Sequence, residues 1–275
     1  SVPSAWRGAA VNGMQVAWFA GAAAAYAAGY GLLPMGPDAW RWILASPAAF
    51  AAGGLLLRAS APESPMWQAA QRGAAQRIAF GALFSPRFSG PLAFVSAVWL
   101  LQVVPLFAIY AFAPAVLSAL GLGAADSPIG SFAITLAFLA GSLLSLPLVE
   151  RCGRRPLCIA GFAVATIAFA LLFVAHGSAT IVVACFVAYA LAIGAAAGLE
   201  LTYPVELFPT SVRASATGCA AAVSRIGAFA GTFALPVVLE RYGIAWVVGG
   251  ALALSAMGWA IAQLWAPETR GVALE

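Results

Sequence analysis

Residues 203–218 read YPVELFPTSVRASATG and join two long apolar runs of the chain. Glu206 and Arg213 supply a carboxylate and a guanidinium to this short connector, and Pro209 lies between them. Ionisable side chains are costly inside a bilayer, so the charges of a short connector are expected at its polar boundary. The stretch therefore predicts a turn between two helices at a membrane surface, with an apolar span on each side.

The composition of the whole chain also indicates a membrane protein. Hydrophobic residues make up 63% of the 275 residues and charged residues only 8%, which is too little charge to cover the surface of a soluble domain of this length. The 28 glycines and 17 prolines are compatible with this class, because membrane helices contain both more often than soluble helices do. We predict an all-α polytopic membrane protein.

The same composition argues against several other kinds of site. The 13 basic residues are all arginines scattered between apolar runs, so no nucleic-acid surface is expected. The four cysteines and the single histidine lack the spacing of metal ligands, and neither a metal nor another cofactor is expected. One histidine beside scattered carboxylates also does not supply the nucleophile and base that a membrane enzyme needs.

Eight apolar runs have about the 20 residues that a helix needs to cross the hydrocarbon core. They are residues 11–33, 39–57, 90–113, 129–149, 157–175, 179–203, 214–239 and 243–266. When alternate connectors are placed on opposite sides, ten arginines fall on one side and two, Arg41 and Arg241, on the other. By the positive-inside rule the crowded side is cytoplasmic, so both termini are predicted in the cytoplasm, with the spans in the inner or plasma membrane.

An internal repeat is visible in the connectors. Pro3 and Arg7 recur with the same spacing as Pro209 and Arg213. The tripeptide at 62–64 recurs in similar form at 267–269, at nearly the same offset. Because transporters are often built from duplicated halves, this self-similarity indicates two related units.

The repeat predicts the domain organisation. Residues 1–57 are expected to be the last two helices of a first six-helix half, and residues 58–89 a cytoplasmic interdomain loop. Residues 90–275 are expected to form the complete second half. Four further helices are expected ahead of Ser1, so the chain is predicted to be a fragment.

Four loop segments resemble those of a known family. They are PESP at 62–65, ERCGRRP at 150–156, PVELFPTSVRASATG at 204–218 and PETRG at 267–271. In order and spacing they resemble the loop signatures of the major facilitator superfamily, in its sugar-porter-like branch, and AWRWIL at 39–44 is similar to the same branch. The resemblance implies the major facilitator fold, with eight of twelve helices present. It also implies a secondary transporter that works by alternating access, with proton coupling expected and facilitated diffusion as the alternative.

The loops further predict a charged gating network at the cytoplasmic face. Gly153 permits a tight turn, and Glu150 and Glu206 lie at helix ends where the helix dipole disfavours a carboxylate, so each needs an arginine partner. The resemblance implies that such pairs close the face in one conformation and separate in the other; alternatively, the arginines only set topology. Loop arginines from neighbouring connectors can supply these partners, and Glu206 and Arg213 are expected to help lock one conformation. The expected members are Glu63, Glu150, Arg151, Gly153, Arg154, Arg155, Glu206, Arg213 and Glu268.

Two charged residues lie within predicted spans. Arg225 is close to the middle of the seventh span, and Glu200 is near the cytoplasmic end of the sixth. An intramembrane charge normally faces a polar cavity or a partner. Arg225 is therefore a candidate to bind an anionic substrate group, with Glu200 as its counter-charge or a proton site. The alternative is a static ion pair between two helices.

The chain departs from the sugar porters where they bind sugar. The segment LQVVPLF at 101–107 keeps only Gln102 of their polar run and has Phe107 in place of an asparagine. Leu201 replaces an expected tryptophan. Since a sugar needs many side-chain hydrogen bonds, an organic acid or an aromatic or charged solute is favoured over a sugar. Tyr110 completes the candidate substrate-binding set of Gln102, Phe107, Tyr110, Glu200 and Arg225.

The expected partners are a small-molecule substrate, protons and the lipid bilayer, and the protein is expected to be a monomer. Two alternative functions stay open. One is a sugar:proton symporter, and the other is a membrane sensor or remnant that does not transport.

Overall fold

The computed structural model describes residues 7–60, 62, 80–121, 126–174 and 178–271, and the fold of these residues is helical. Nine α-helices follow one another within these described residues. They are α1 (Arg7–Leu32), α2 (Ala39–Ser60), α3 (Pro86–Ala119), α4 (Asp126–Arg151), α5 (Arg154–Val174), α6 (Ala179–Ala197), α7 (Leu199–Leu207), α8 (Thr210–Tyr242) and α9 (Ile244–Trp265). Short 3₁₀ segments at Leu33–Met35 and Phe80–Phe84 follow α1 and precede α3.

Eight membrane spans are confirmed within the described residues. Each predicted apolar run coincides with helix that is long and apolar enough to cross a bilayer. The predicted span 179–203 consists of α6 and α7, which are separated at Gly198 and together form one span, Ala179–Leu207. The chain is an integral multi-pass membrane protein.

The boundaries of the predicted loop 58–89 differ in the structure. Helix α2 continues to Ser60, and α3 already begins at Pro86. Proline fits the first turn of a helix because it needs no amide donor there and its φ angle is already helical. Most of the loop, including Glu63, lies outside the described residues.

The helices pack in a bundle in which α3 lies against α8, α4 against α6 and α1, and α5 against α6 and α9. Side chains such as Phe138, Phe169 and Tyr189 fill the contacts between α4, α5 and α6. Helix α2 packs on α1 and exposes large apolar side chains, including Phe50 and Leu56 at 74% each. Such apolar surface is compatible with lipid or with further membrane helices.

Three connections meet at one end of this bundle and position the charged residues. The turn between α4 and α5 contains Gly153, whose φ of +96° is rarely adopted by other residues. The corner between α7 and α8 is formed by Phe208 and Pro209, which have extended backbone angles. Residues 266–271 leave α9 and pass beside the other two connections.

Candidate functional site

Arg154 is the centre of a buried charged cluster at this end of the bundle. Its side chain is only 2% exposed, and that of Glu206 is 3% exposed. The guanidinium donates from Nη2 to Glu206 Oε1 at 2.6 Å and from Nε to both carboxylate oxygens at 3.0 and 3.2 Å. This two-pronged arrangement is the strongest geometry for an arginine–carboxylate pair. It ties the start of α5 to the end of α7.

Glu150 extends the cluster towards the N-terminal helices. Arg154 Nη1 donates to Glu150 Oε2 and to the Val149 carbonyl, both at 3.0 Å. The other oxygen of Glu150 accepts the backbone N–H of Ala9 at 3.2 Å. The cluster therefore joins α1 to α4, α5 and α7.

Glu268 binds the backbone at the α4–α5 turn. Its carboxylate accepts three N–H groups, from Arg154 at 3.0 Å, Arg155 at 3.2 Å and Arg270 at 2.9 Å. Partial burial acts to raise the pKa of Glu268, but these donors outweigh it and hold the pKa below its ordinary value. A Cβ at Gly153 would lie 2.4 Å from Glu268 Oε2, so glycine there makes the approach of this carboxylate possible.

The arginine partner of Glu206 comes from the neighbouring α4–α5 turn and not from the connector that contains Glu206 itself. Among the described residues, the guanidinium that pairs with Glu206 belongs to Arg154 rather than to Arg213. Arg213 Nε instead donates to the Phe208 carbonyl at 3.1 Å, within its own corner. The physical reason is position, since Arg154 follows the turn directly and points into the bundle, where it is buried.

The other two arginines of the α4–α5 turn lie on the outside. Arg151 is exposed, and its carbonyl accepts Arg270 Nη1 at 2.8 Å. Arg155 is also exposed and donates from Nη2 to the Gln263 carbonyl at 3.0 Å. These two residues contact the segment around the end of α9 and do not enter the buried cluster.

Two members of the cluster were not predicted from the sequence. The Thr269 hydroxyl donates to Glu206 Oε2, and the Tyr203 hydroxyl donates to the Pro267 carbonyl at 3.2 Å. Thr269 lies within the PETRG signature and Tyr203 directly precedes the signature at 204–218, so proximity in sequence to Glu268 and Glu206 was the available signal.

A cavity of about 250 Å³ lies deeper in the bundle, between α1 and the helices α3, α7 and α8. Its lining is largely apolar and aromatic, with three polar side chains from three different helices: Gln15, Glu200 and Arg225. The complete lining is Met14, Gln15, Trp18, Trp99, Val103, Leu106, Phe107, Glu200, Leu201 and Arg225. Three predicted residues, Phe107, Glu200 and Arg225, are brought together here.

The two charges of the cavity do not form a close ion pair. Glu200 is 8% exposed, and among the described residues it has neither a hydrogen bond nor an ion pair within 4.0 Å. The Arg225 guanidinium lies over the Phe107 ring, 5.4 Å from its centroid, which is a cation–π geometry. The static ion pair considered from the sequence is therefore absent among the described residues.

Gln102 and Tyr110 are not among the residues that line the cavity. Gln102 is 1% exposed, and its Nε2 has no hydrogen-bond acceptor among the described residues. Tyr110 packs against Trp18 and Phe138, with ring centroids 6.0 and 5.3 Å away. The sequence prediction missed Gln15, Trp18 and Trp99; a polar residue in an apolar run was the available signal for Gln15.

A polar junction lies between the cluster and the cavity. Asn12 is fully buried and donates from Nδ2 to Ser145 Oγ at 3.2 Å. Its Oδ1 accepts the Thr202 hydroxyl at 2.9 Å. A Cβ at Gly198 would lie 2.2 Å from Asn12 Cγ, so this contact between α1 and the α6–α7 boundary depends on glycine.

The sequence matches the family described as "Sugar (and other) transporter" over residues 1–79 and 82–275. The chain belongs to this family. Its members are transporters rather than enzymes. The family match agrees with the resemblance found in the loop signatures.

Two proteins of Escherichia coli strain K12 are similar over nearly the whole chain. The putative metabolite transport protein YaaU is 36% identical to this chain over 94% of the chain's length. The inner membrane metabolite transport protein YgcS is 30% identical over 99% of the chain's length. The chain spans only 63% and 66% of the lengths of these relatives.

The fold is that of the major facilitator superfamily. A solved structure of the proton:xylose symporter XylE, bound to 6-bromo-6-deoxy-D-glucose, superimposes with a TM-score of 0.77 at 21% identity. The superposition covers 99% of this chain and 67% of that structure. The predicted fold class is thus confirmed.

Proposed function

We propose that the protein is a secondary transporter that moves a small organic metabolite across the inner membrane by alternating access, coupled to protons. An organic acid or an aromatic, charged solute is the favoured substrate. The observation that carries the proposal is the cavity between α1 and the helices α3, α7 and α8, in which Glu200, Arg225 and aromatic side chains converge. Midplane cavities between helix bundles are where such transporters bind their substrates.

The chemistry of the lining favours a planar anion. Trp18, Trp99 and Phe107 offer flat apolar surfaces, and the guanidinium of Arg225 offers paired donors that match a carboxylate. Gln15 is the one neutral polar side chain of the lining. A sugar presents several hydroxyls that all need partners in a desolvated site, so a sugar:proton symporter is the second candidate.

The charged cluster supplies a candidate gate for this transporter. Arg154 and its carboxylates connect α1 with three other helices through Ala9 and Glu206. If residues 1–57 belong to one half of the transporter and residues 90–275 to the other, these bonds join the two halves. We propose that they hold the cytoplasmic side closed and break when it opens. In this proposal both termini are cytoplasmic and the protein acts as a monomer.

Transport by the full-length protein in proteoliposomes tests the proposal. A panel of aromatic and aliphatic carboxylates, with glucose and xylose, is offered as radiolabelled solutes to vesicles preloaded with the same unlabelled solute. This counterflow needs binding and alternating access but no proton gradient. We expect at least one carboxylate to exchange. Uptake of glucose or xylose without any carboxylate would favour the sugar symporter, and no exchange of any solute would favour the sensor or remnant.

A conservative pair of variants tests the role of Arg225. Arg225→Lys keeps the charge but loses the fork geometry, so we expect carboxylate exchange to fall at least tenfold. Arg241→Lys is the matched control, because Arg241 is exposed at the end of α8, and it should exchange like the wild type. Normal exchange by Arg225→Lys would contradict an Arg225–carboxylate contact.

A further inference from the structure

We propose that Glu200 is the site at which a proton binds together with an anionic substrate, so that each monoanion loads with one proton. This inference rests on the proposed function and deepens it, because it assigns the coupling proton to a residue of the substrate cavity itself. Glu200 lines the cavity and is buried on its other sides.

The first argument is that Glu200 has no close hydrogen-bond or ion-pair partner among the described residues. Glu200 is 8% exposed, and no described residue makes a hydrogen bond or an ion pair within 4.0 Å of its carboxylate. An ionised carboxylate in such surroundings is costly, and taking up a proton removes that cost. The Glu200 carboxylate can therefore take up a proton when a substrate binds in the cavity and release it when the substrate leaves.

The second argument concerns the groups that face Glu200. Helix α7 packs against α1, α3, α6 and α8. On the cavity side, α1 presents the neutral Gln15, and α3 presents aromatic and aliphatic side chains. The adjoining end of α6 is the alanine run 195–197. Helix α8 presents Arg225, so within the described lining the charge of the cavity depends on Glu200 and Arg225.

The third argument is the charge balance of the loaded cavity. With Glu200 ionised, its charge cancels that of Arg225 and the empty cavity is neutral. A substrate carboxylate then leaves one excess negative charge, which is unfavourable in a desolvated site. A proton from solvent, bound to a Glu200 carboxylate oxygen, restores neutrality and returns to solvent when the substrate leaves. Proton and anion therefore favour each other's binding by the same free energy.

The fourth argument is that Arg225 remains available to the substrate. Its guanidinium lies over the face of Phe107 at 5.4 Å and not in a fork with Glu200. The residue is also exposed. A guanidinium stacked on a ring keeps its N–H edge free for an incoming carboxylate. The two charged residues therefore take separate roles, one for the anion and one for the proton.

A binding titration of the full-length protein in detergent tests the proposal. The probe is benzoate, a simple aromatic monocarboxylate, and the signal is fluorescence of the cavity tryptophans Trp18 and Trp99. Across the pH range where benzoate stays ionised, wild-type affinity should weaken by about tenfold per pH unit once Glu200 loses its proton. In Glu200→Gln the affinity should be independent of pH.

Two further variants control the titration. Glu240→Gln makes the same change at an exposed position near the end of α8 and should keep the wild-type pH dependence. Glu200→Asp keeps an ionisable group and should restore the pH dependence that Glu200→Gln loses. A wild-type pH slope in Glu200→Gln would overturn the proposal.

If benzoate does not bind, the protonation of Glu200 is tested by a measurement without ligand. Infrared difference spectra recorded between about pH 5 and pH 9 should show a protonated-carboxyl band that is missing in Glu200→Gln and present in Glu240→Gln. Absence of such a Glu200-dependent band overturns the proposal. Counterflow by the wild type and by Glu240→Gln separates this outcome from failure of the proposed function. Exchange by both without a Glu200-dependent band overturns the proton site alone, whereas a wild type without exchange refutes transport itself.

Discussion

Replacing Arg154 by methionine is expected to be the most destabilising change in the charged cluster. Methionine keeps much of the length of the side chain and removes the guanidinium. The change deletes three contacts to Glu206, between 2.6 and 3.2 Å, and the contacts to Glu150 and the Val149 carbonyl at 3.0 Å. The carboxylate of Glu206 then loses its buried counter-charge. Because Glu206 is only 3% exposed, water cannot replace the guanidinium.

The expected loss of stability follows from deleting one member of a buried ion pair. Breaking a buried ion pair by deleting one member costs about 3–5 kcal/mol, mainly because the other charge stays buried. Adding Glu206→Gln to Arg154→Met removes that charge, so the double variant should be more stable than Arg154→Met alone. Arg155→Met is the matched control. Arg155 is exposed and its guanidinium donates to the Gln263 carbonyl, so the change should cost about 0.5 kcal/mol or less.

Thermal unfolding followed with a thiol-reactive dye gives the readout. Cys158 is 1% exposed and reacts only on unfolding, whereas Cys152 is exposed and sets the starting signal. We expect a clearly lower midpoint for Arg154→Met, partial recovery in the double variant and little change for Arg155→Met. Equal midpoints for Arg154→Met and Arg155→Met would refute the assignment of the buried pair.

Two further predictions concern Gly198 and Glu268. Gly198→Ala should destabilise the protein by about 1–3 kcal/mol in the same assay, since the new Cβ would collide with Asn12 Cγ. Gly218→Ala is the control and should be neutral or stabilising, because nothing lies within 4 Å of a Cβ there. Equal losses of stability at both sites would contradict the contact between Gly198 and Asn12. Glu268 has a lowered pKa, so its contribution to stability is present above its unfolded pKa of about 4.3 and is lost as pH falls through the lower folded pKa. Midpoints measured from about pH 3 to pH 6 should therefore fall more steeply on the acid side for wild type than for Glu268→Gln, and parallel curves would contradict the bonding of Glu268.

The spans could be predicted from the sequence because the signal is local. A run of about 20 apolar residues suffices to define a membrane helix whatever it packs against, and all eight predicted runs are helical. The interruption at Gly198 was not predicted, because one glycine in an apolar run does not mark a break. The close approach of Asn12 on α1 to this glycine is a tertiary contact that the sequence does not show. The family was likewise accessible, since its loop signatures are short and local.

The partners within the charged cluster could not be derived in the same way. Arg151, Arg154 and Arg155 have the same chemistry and lie within five residues of one another, and the orientation of the α4–α5 turn decides that only Arg154 is buried. Spacing in sequence brought Glu206 and Arg213 together, whereas the fold brings Arg154 to Glu206 across 52 positions of the chain. Long-range pairing of this kind depends on tertiary packing.

The cavity was predicted in part, for a related reason. Glu200 and Arg225 stood out because charge inside an apolar run is unusual, and both line the cavity. Gln102 and Tyr110 were selected by comparison along the sequence, but neither lines the cavity: Gln102 is buried, and Tyr110 lies about one helical turn beyond Phe107, packed against Trp18 and Phe138. Gln15 was not predicted because a neutral polar side chain in an apolar run is a weaker signal than a charge.

Helix α1 meets the rest of the bundle at three successive levels. Ala9 contacts the charged cluster, Asn12 forms the polar junction and Gln15 lines the cavity. These residues are three apart and so lie on one side of the helix, over about 9 Å of its length. With Asn12 held from two sides by Ser145 and Thr202, α1 has the mechanical layout of a lever with its fulcrum at the middle contact. A small tilt about that point would move the two ends in opposite directions, so that a solute drawing Gln15 inward would pull Ala9 away from Glu150.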